Sequence, residues 1–257
     1  RSVSRGLGDV YKRQVFKSLA KISENLAGSL WMVLAMLGFA IEDSLIRIIS
    51  SVVPFGQLLS LFGLGGALIF ALLCKLKKQQ LFLAEVISRP MVLRMFFELI
   101  GRLFYSVSLI LMPISLVTLV LQATPIFVVT GAAFLFKEAV GVLRWIAILS
   151  GLLGVVFIIQ PTSESFSPYV IFAILGMLGF AGRDLGSRAA SPIISDNHLG
   201  FYGFVAVTVA GLIYSGWAGA AYVPLSIGTL VYILSLIFVG CFSYFALMKA
   251  MRIGDVS

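Results

Sequence analysis

The chain has 257 residues, of which 60% are apolar and 12% charged, and its mean hydropathy is +1.07. A soluble domain carries roughly 45–50% apolar and about 25% charged residues, so one aqueous core cannot hide this much apolar surface. Composition therefore points to an all-α integral membrane protein and excludes disordered, fibrous and disulfide-stapled chains. The formal charge of +8 comes from 19 Lys and Arg against 11 acids. The basic residues are scattered among apolar runs, which favours membrane orientation over nucleic-acid binding. Cys74 and Cys241 sit inside apolar stretches and suit neither a disulfide framework nor a metal knuckle. The single His198 lies in a polar link and is expected to be a solvated loop residue.

In chain order, residues 1–14 show no apolar period and resemble translated linker sequence, so they are set aside from the fold. Residues 15–25 suit either a short amphipathic surface helix or an irregular basic leader. A membrane-crossing helix needs about 20 mostly apolar residues. Eight stretches qualify, at 26–49, 54–74, 91–112, 114–136, 142–159, 168–189, 199–220 and 227–249. Pro54, Pro113, Pro168 and Pro224 fall at or near the links, where a missing amide proton costs least. Pro125 falls inside the fourth stretch and is expected to bend it. The runs are continuous, not alternating, which excludes an outer-membrane barrel.

The basic residues alternate between links. The leader, the link with Lys75, Lys77, Lys78 and Arg89, the link at Lys137 and Arg144, the end of the sixth stretch at Arg188, and the tail at Lys249 and Arg252 are basic. The links at 50–53, 112–114, 160–167 and 221–226 contain no Lys or Arg. That alternation is the positive-inside pattern. It supports the count of eight and places the N-terminus in the cytoplasm.

Residues 34–50 (LAMLGFAIEDSLIRIIS) and 175–191 (LGMLGFAGRDLGSRAAS) are identical at nine of 17 positions, at a constant offset of 141. The matches include Gly38 with Gly179, Asp43 with Asp184 and Arg47 with Arg188. Five stretches separate the two starts. An odd number of crossings points the second copy the opposite way, as in the inverted repeats of secondary transporters, whose sites lie near the midplane. The offset sets the end of the chain opposite the start of the fourth stretch. Two further spans, about 45 residues, are therefore expected to complete a ten-span protein. The expected organisation is a leader at 1–25, a first repeat at 26–160 and an incomplete second repeat at 168–257.

Charges within the stretches are the candidate site. The first has Glu42, Asp43 and Arg47, the third Glu98 and Arg102, the sixth Arg183, Asp184 and Arg188. One charge at the bilayer centre costs roughly 2.5–3.5 kcal/mol, so these groups must face protein or water. Asp43–Arg47, Glu98–Arg102 and Asp184–Arg188 each set an acid four residues before an arginine, on one helix face. The repeat makes Glu42 and Arg183 equivalent positions of opposite charge, placed to pair across the axis. Two readings stay open: static struts between helices, or the lining of a polar cavity that binds a charged substrate such as a zwitterion. Gln122 and Thr124, ahead of Pro125, are weaker candidates for the same lining. Gly182 and Gly186 leave room for a neighbouring backbone. Most other intramembrane glycines, and Trp31, Trp145, Trp217 and Tyr105, suit packing or the interface.

Leu121-Gln-Ala-Thr-Pro125, Lys137-Glu138, Arg144-Trp145, Gly151-x-x-Gly154 and Gln160-Pro161 together resemble the end of an EamA domain, the repeat unit of the drug/metabolite transporter superfamily. Gly182-Arg-Asp-Leu-Gly186 and Ile253-Gly-Asp-Val256 resemble parts of the second repeat. The resemblance covers about residues 26–257. It implies ten spans, both termini cytoplasmic, alternating access to a central cavity, and a multi-pass protein of the bacterial inner membrane. Members carry amino acids, nucleotide-like metabolites or drugs, and the resemblance transfers no binding residue. The expected function is thus transport of a small polar metabolite with no cofactor and no metal. Its partners would be the substrate, the lipid bilayer and a possible coupling proton, in a monomer or homodimer. The alternatives are an intramembrane enzyme, disfavoured by the lack of His-Glu-x-x-His and Gly-x-Ser-x-Gly patterns, and a non-transporting membrane subunit.

Overall fold

The computed structural model describes residues 3–137, 140–159 and 168–253. Glu138, Gln160, Pro161, the link at 160–167 and residues 254–257 lie outside the described residues, as do the side chains of the leader. The helices are α1 (Val3–Ser50), α2 (Phe55–Leu76), α3 (Arg89–Leu111), α4 (Ile114–Leu121), α5 (Thr124–Phe136), α6 (Val142–Ile159), α7 (Val170–Ala189), α8 (Asp196–Ala218) and α9 (Ile227–Ile253). A short 3-10 turn, Ala84–Ile87, precedes α3, and the described residues contain no strand. α1 is one continuous helix of 48 residues. The stretch at 15–25 therefore extends the first helix and forms neither a separate surface helix nor an irregular leader.

Prolines mark the starts. Pro54 and Pro113 cap α2 and α4, while Pro90 and Pro125 occupy the first turns of α3 and α5, where a missing N–H leaves no bond unmade. The fourth stretch bends between α4 and α5. Pro125 has no N–H to give Leu121, and the Thr124 hydroxyl donates to the Leu121 carbonyl instead, at 2.5 Å. Thr124 thus repairs the bend.

Five segments are long and apolar enough to cross a membrane: α2, the bent α4–α5 pair, α7, α8 and residues 227–251 of α9. α1 carries Glu42, Asp43 and Arg47, α3 carries Arg94, Glu98 and Arg102, and α6 is a shorter apolar helix.

The helices associate in three antiparallel pairs: α2 with α8, α3 with α7 and α1 with α9. Small residues allow this. A Cβ on Gly179 would lie 2.4 Å from the Cα of Gly101, so α7 meets α3 backbone to backbone. On α2 and α8, Gly63 faces Thr208 and Gly211 faces Ser60. Along α3 and α7, Arg94 meets Gly186, Gly101 meets Gly179 and Tyr105 meets Gly176, in opposite numerical order. Tyr244 of α9 lies at the level of Arg94, while Gly240 lies beside Glu42. α1 therefore runs away from the end bearing Lys75–Lys78, and α7 runs toward it. The larger core joins α1, α2, α8 and α9 through Ile46, Phe62, Phe70, Phe204, Leu236 and Tyr244, and a smaller one joins α3, α4 and α7 around Tyr105, Val117 and Phe180.

Candidate functional site

The inward stripe of α3 carries charge and small polar groups. Its buried residues Met91, Arg94, Glu98, Gly101, Tyr105 and Ser108 alternate by three and four, a continuous helical seam. Arg94 and Glu98 are 0% exposed, which in a bundle core demands partners. They have them on three other helices. Arg94 donates Nε to Ser187 Oγ on α7 at 2.8 Å and Nη2 to the Leu199 carbonyl on α8 at 2.9 Å; Nη2 also bonds the Tyr244 hydroxyl on α9. Tyr244 in turn donates to Glu98 Oε2 at 2.8 Å. Glu98 lies 3.8 Å from Arg94 Nη2 and, through its other oxygen, 3.6 Å from Arg183 Nη1.

The cluster continues toward α1. Arg183 Nε bonds Asp184 Oδ1 at 2.7 Å. Arg102 Nη1 lies 3.4 Å from Glu42 Oε1. The Phe180 ring is flanked by both guanidiniums, with Arg183 at 4.9 Å and Arg102 at 5.7 Å from its centroid. Asp43, half-buried, lies near the Tyr105 hydroxyl. Glu42, Asp43, Glu98, Arg102, Arg183 and Asp184 therefore converge, as the charge argument expected of a shared site.

Several expectations are corrected. The pairing expected along single helices is not the main one. Glu98 pairs with Arg94, one turn before it, and with Arg183, while Arg102 reaches across to Glu42 on α1. Glu42 and Arg183 do not bond each other; α3 supplies a counter-ion to each, because α3 packs against α7 and presents both Glu98 and Arg102 inward. Arg47 and Gln122 are exposed at the ends of α1 and α4 and take part in none of the ion pairs above. Arg188 lies at the end of α7 against the Phe136 ring, 5.2 Å from its centroid. His198 is buried, not solvated. It closes a capping box with Ser195 at the start of α8, and its Nε2 bonds the Gln80 carbonyl at 2.8 Å.

Sequence reasoning missed Arg94 and Tyr244. Arg94 sits close to the start of its stretch, where an arginine normally reaches the interface. Its signal was the register: it lies four residues before Glu98 on the same stripe. Tyr244 carried no such signal, since an isolated tyrosine in an apolar helix is ordinary packing.

No protein-family model matches the chain. The chain is 30% identical over 100 residues to the S-adenosylmethionine uptake transporter of Rickettsia prowazekii, covering 38% of this chain and 34% of that protein. It is 29% identical over 148 residues to the riboflavin transporter of Vibrio cholerae, covering 55% of this chain and 49% of that protein. It is 25% identical over 175 residues to the riboflavin transporter of Rhizobium johnstonii, covering 66% and 57%. The chain thus spans about a third to somewhat over half the length of these relatives. One crystal structure shares the fold, with a TM-score of 0.72 and 20% identity, covering 92% of this chain and 82% of that one. These relatives are named as transporters and none as an enzyme. The chain is an all-helical, membrane-type protein similar to transporters of small metabolites.

Proposed function

We propose that the chain belongs to a secondary transporter of the drug/metabolite type, which moves a small polar metabolite through the bilayer by alternating access. The observation that carries this reading is the buried, mixed-sign cluster at the junction of three antiparallel helix pairs. Charges are costly in a membrane, and in this class of protein they mark substrate and ion pathways.

The helix pairing supports the eight crossings and the inverted repeat. If α1 to α3 correspond to α7 to α9, exchanging the halves turns the α1–α9 pair into the α3–α7 pair and returns α2–α8 to itself. Those are the three most extensive helix pairs among the described residues. The opposite directions of α1 and α7 and the 141-residue repeat support the same relation. The contacts Gly63–Thr208 and Ser60–Gly211 exchange under it as well, if Ser60 corresponds to Thr208 and Gly63 to Gly211, an offset of 148 in this pair against 141 in α1 and α7. The second repeat would comprise α7 to α9 and whatever follows. The basic links would lie in the cytoplasm, with the N-terminus, at a bacterial inner membrane.

The site divides by its contacts. Arg94, Glu98 and Tyr244 bond one another and brace α3 against α7, α8 and α9. Glu42, Asp43, Arg102, Arg183 and Asp184 flank the Phe180 ring and are the groups to engage substrate. Arg102 and Arg183 would take a carboxylate, while Glu42 and Asp43 would take an amine or another cationic centre. A metabolite carrying both, like the S-adenosylmethionine named for the Rickettsia relatives, fits that chemistry. Binding exchanges protein ion pairs for substrate ion pairs, so the buried charges stay compensated during transit. Acids in the pathway also permit proton coupling. The test is uptake of labelled S-adenosylmethionine and riboflavin into proteoliposomes, with Asp43→Asn and Arg102→Gln. Loss of uptake in both variants, with folding retained, is expected. Unchanged uptake in both removes the site, and product formation without movement would favour an enzyme.

A further inference from the structure

The α2–α8 pair is fastened at both ends by part-buried polar contacts that the ion cluster does not use. At the lysine-rich end, Gln79 Oε1 accepts from Ser195 Oγ at 3.1 Å and from Asn197 Nδ2 at 2.9 Å. His198 Nδ1 accepts the Ser195 backbone N–H at 3.2 Å, leaving Nε2 to donate to the Gln80 carbonyl at 2.8 Å. The Tyr202 hydroxyl donates to the Leu81 carbonyl at 3.2 Å. The strand of chain after α2 is thus stitched to the first turns of α8, where Asn197 and His198 are each 2% exposed. At the opposite end, Gln57 forms a two-point bond with one backbone unit: Nε2 donates to the Val223 carbonyl and Oε1 accepts the Val223 N–H, both at 2.8 Å. The Tyr222 hydroxyl adds a bond to Ser60 Oγ at 3.3 Å.

We infer that these clasps are the two gates of the bundle, with Gln79 holding the lysine-rich end shut and Gln57 the other, so that the structure is an occluded form. The inference rests on the transporter reading and adds its moving parts. Between the clasps the seam sets Gly63 on Thr208 and Gly211 on Ser60, with the Phe204 and Phe70 rings seated over Gly66 and Gly200. At the two ends, resistance to opening comes from directional bonds. Each glutamine contributes two. Opening one side breaks one clasp and leaves the other as the pivot, which is what exposure to one side of the membrane at a time requires.

The chain contains a reporter for one end. Cys74 is buried beside Tyr202, and its carbonyl accepts the Gln79 N–H at 2.9 Å. With Cys241→Ser, the rate at which N-ethylmaleimide labels Cys74 reads opening of the lysine-rich end. Ser60→Cys in a Cys74→Ser, Cys241→Ser background reads the other. Removing two hydrogen bonds, each worth about 0.5–1.5 kcal/mol net, shifts an open–closed equilibrium by roughly ten- to thirtyfold. Gln79→Met is expected to raise Cys74 labelling by that factor and leave the residue-60 reporter unchanged; Gln57→Met is expected to do the reverse. Should Gln79→Met not fold, Asn197→Ala removes one of its two bonds and is expected to give about a fivefold rise. Unchanged labelling in folded variants, or a rise at both reporters from either change, overturns the inference. Labelling needs no substrate, so absence of uptake would count against the transporter reading while leaving this result to be read separately.

Discussion

The Arg94–Glu98–Tyr244 brace gives the most quantitative prediction. Glu98→Gln keeps the shape of the side chain and still offers Tyr244 an oxygen. It removes the negative charge 3.8 Å from Arg94 and 3.6 Å from Arg183. Arg183 retains Asp184 at 2.7 Å, whereas Arg94 is left with the neutral acceptors Ser187, Leu199 and Tyr244 around a fully buried guanidinium. Breaking a buried pair from one side costs about 3–5 kcal/mol, chiefly through the stranded charge. For a chain of this size that corresponds to a melting temperature lower by roughly 6–20 °C. Arg94→Met is expected to cost less, because Glu98 keeps Arg183 and Tyr244. The double variant should then fall short of the sum of the singles by about 1–3 kcal/mol, since each change removes what the other leaves unpaired. The assay is thermal unfolding of the purified chain in detergent for the four proteins of the cycle. A Glu98→Gln shift under about 2 °C, or single effects that add to within about 0.5 kcal/mol, would refute the claim that this pair is a coupled brace.

Other consequences are simpler to test. Gly179→Ala places a Cβ 2.4 Å from the Gly101 backbone, which cannot move aside as a side chain would, and is expected to cost about 1–3 kcal/mol by thermal unfolding. Gly151→Ala meets nothing within 4 Å and is expected to be neutral or stabilising by up to about 1 kcal/mol in the same assay. Ser195→Ala removes the cap of α8 and a bond to Gln79, and is expected to cost about 0.5–2 kcal/mol, read as faster hydrogen exchange in the first turn of α8. Arg47→Gln is expected to leave uptake unchanged where Arg102→Gln abolishes it, because Arg47 is exposed and outside the cluster.

Most helix ends were legible because apolar length and link prolines agree with one another; the start of α1, at Val3 and not near residue 26, was not. The bend at Pro125 followed from the missing amide alone. The convergence of Glu42, Glu98, Arg102, Arg183 and Asp184 was legible from the expense of intramembrane charge. Their partners were not. Spacing of four along one helix predicts pairing within that helix, and the close α3–α7 approach over Gly101 and Gly179 offers interhelical partners instead. The same limit hid Arg94, whose position near a helix start reads as interfacial until the depth of α8 and α9 around it is known. His198 was misread because its polar link looks like solvent-facing chain; burial comes from the segment after α2, 118 residues away, folding over it. Gln57, Gln79 and Val223 had no pattern of their own and acquire meaning only from the α2–α8 pairing.

The account depends on α1 and α7 being oppositely inserted copies around the ion cluster. The most direct measurement is labelling of Ser50→Cys and Ser191→Cys, each in a Cys74→Ser, Cys241→Ser chain, by a membrane-impermeant maleimide added to intact cells of a bacterial host. The account predicts that residue 50 reacts from outside and residue 191 only after the membrane is opened. Reaction of both from the same side would contradict it.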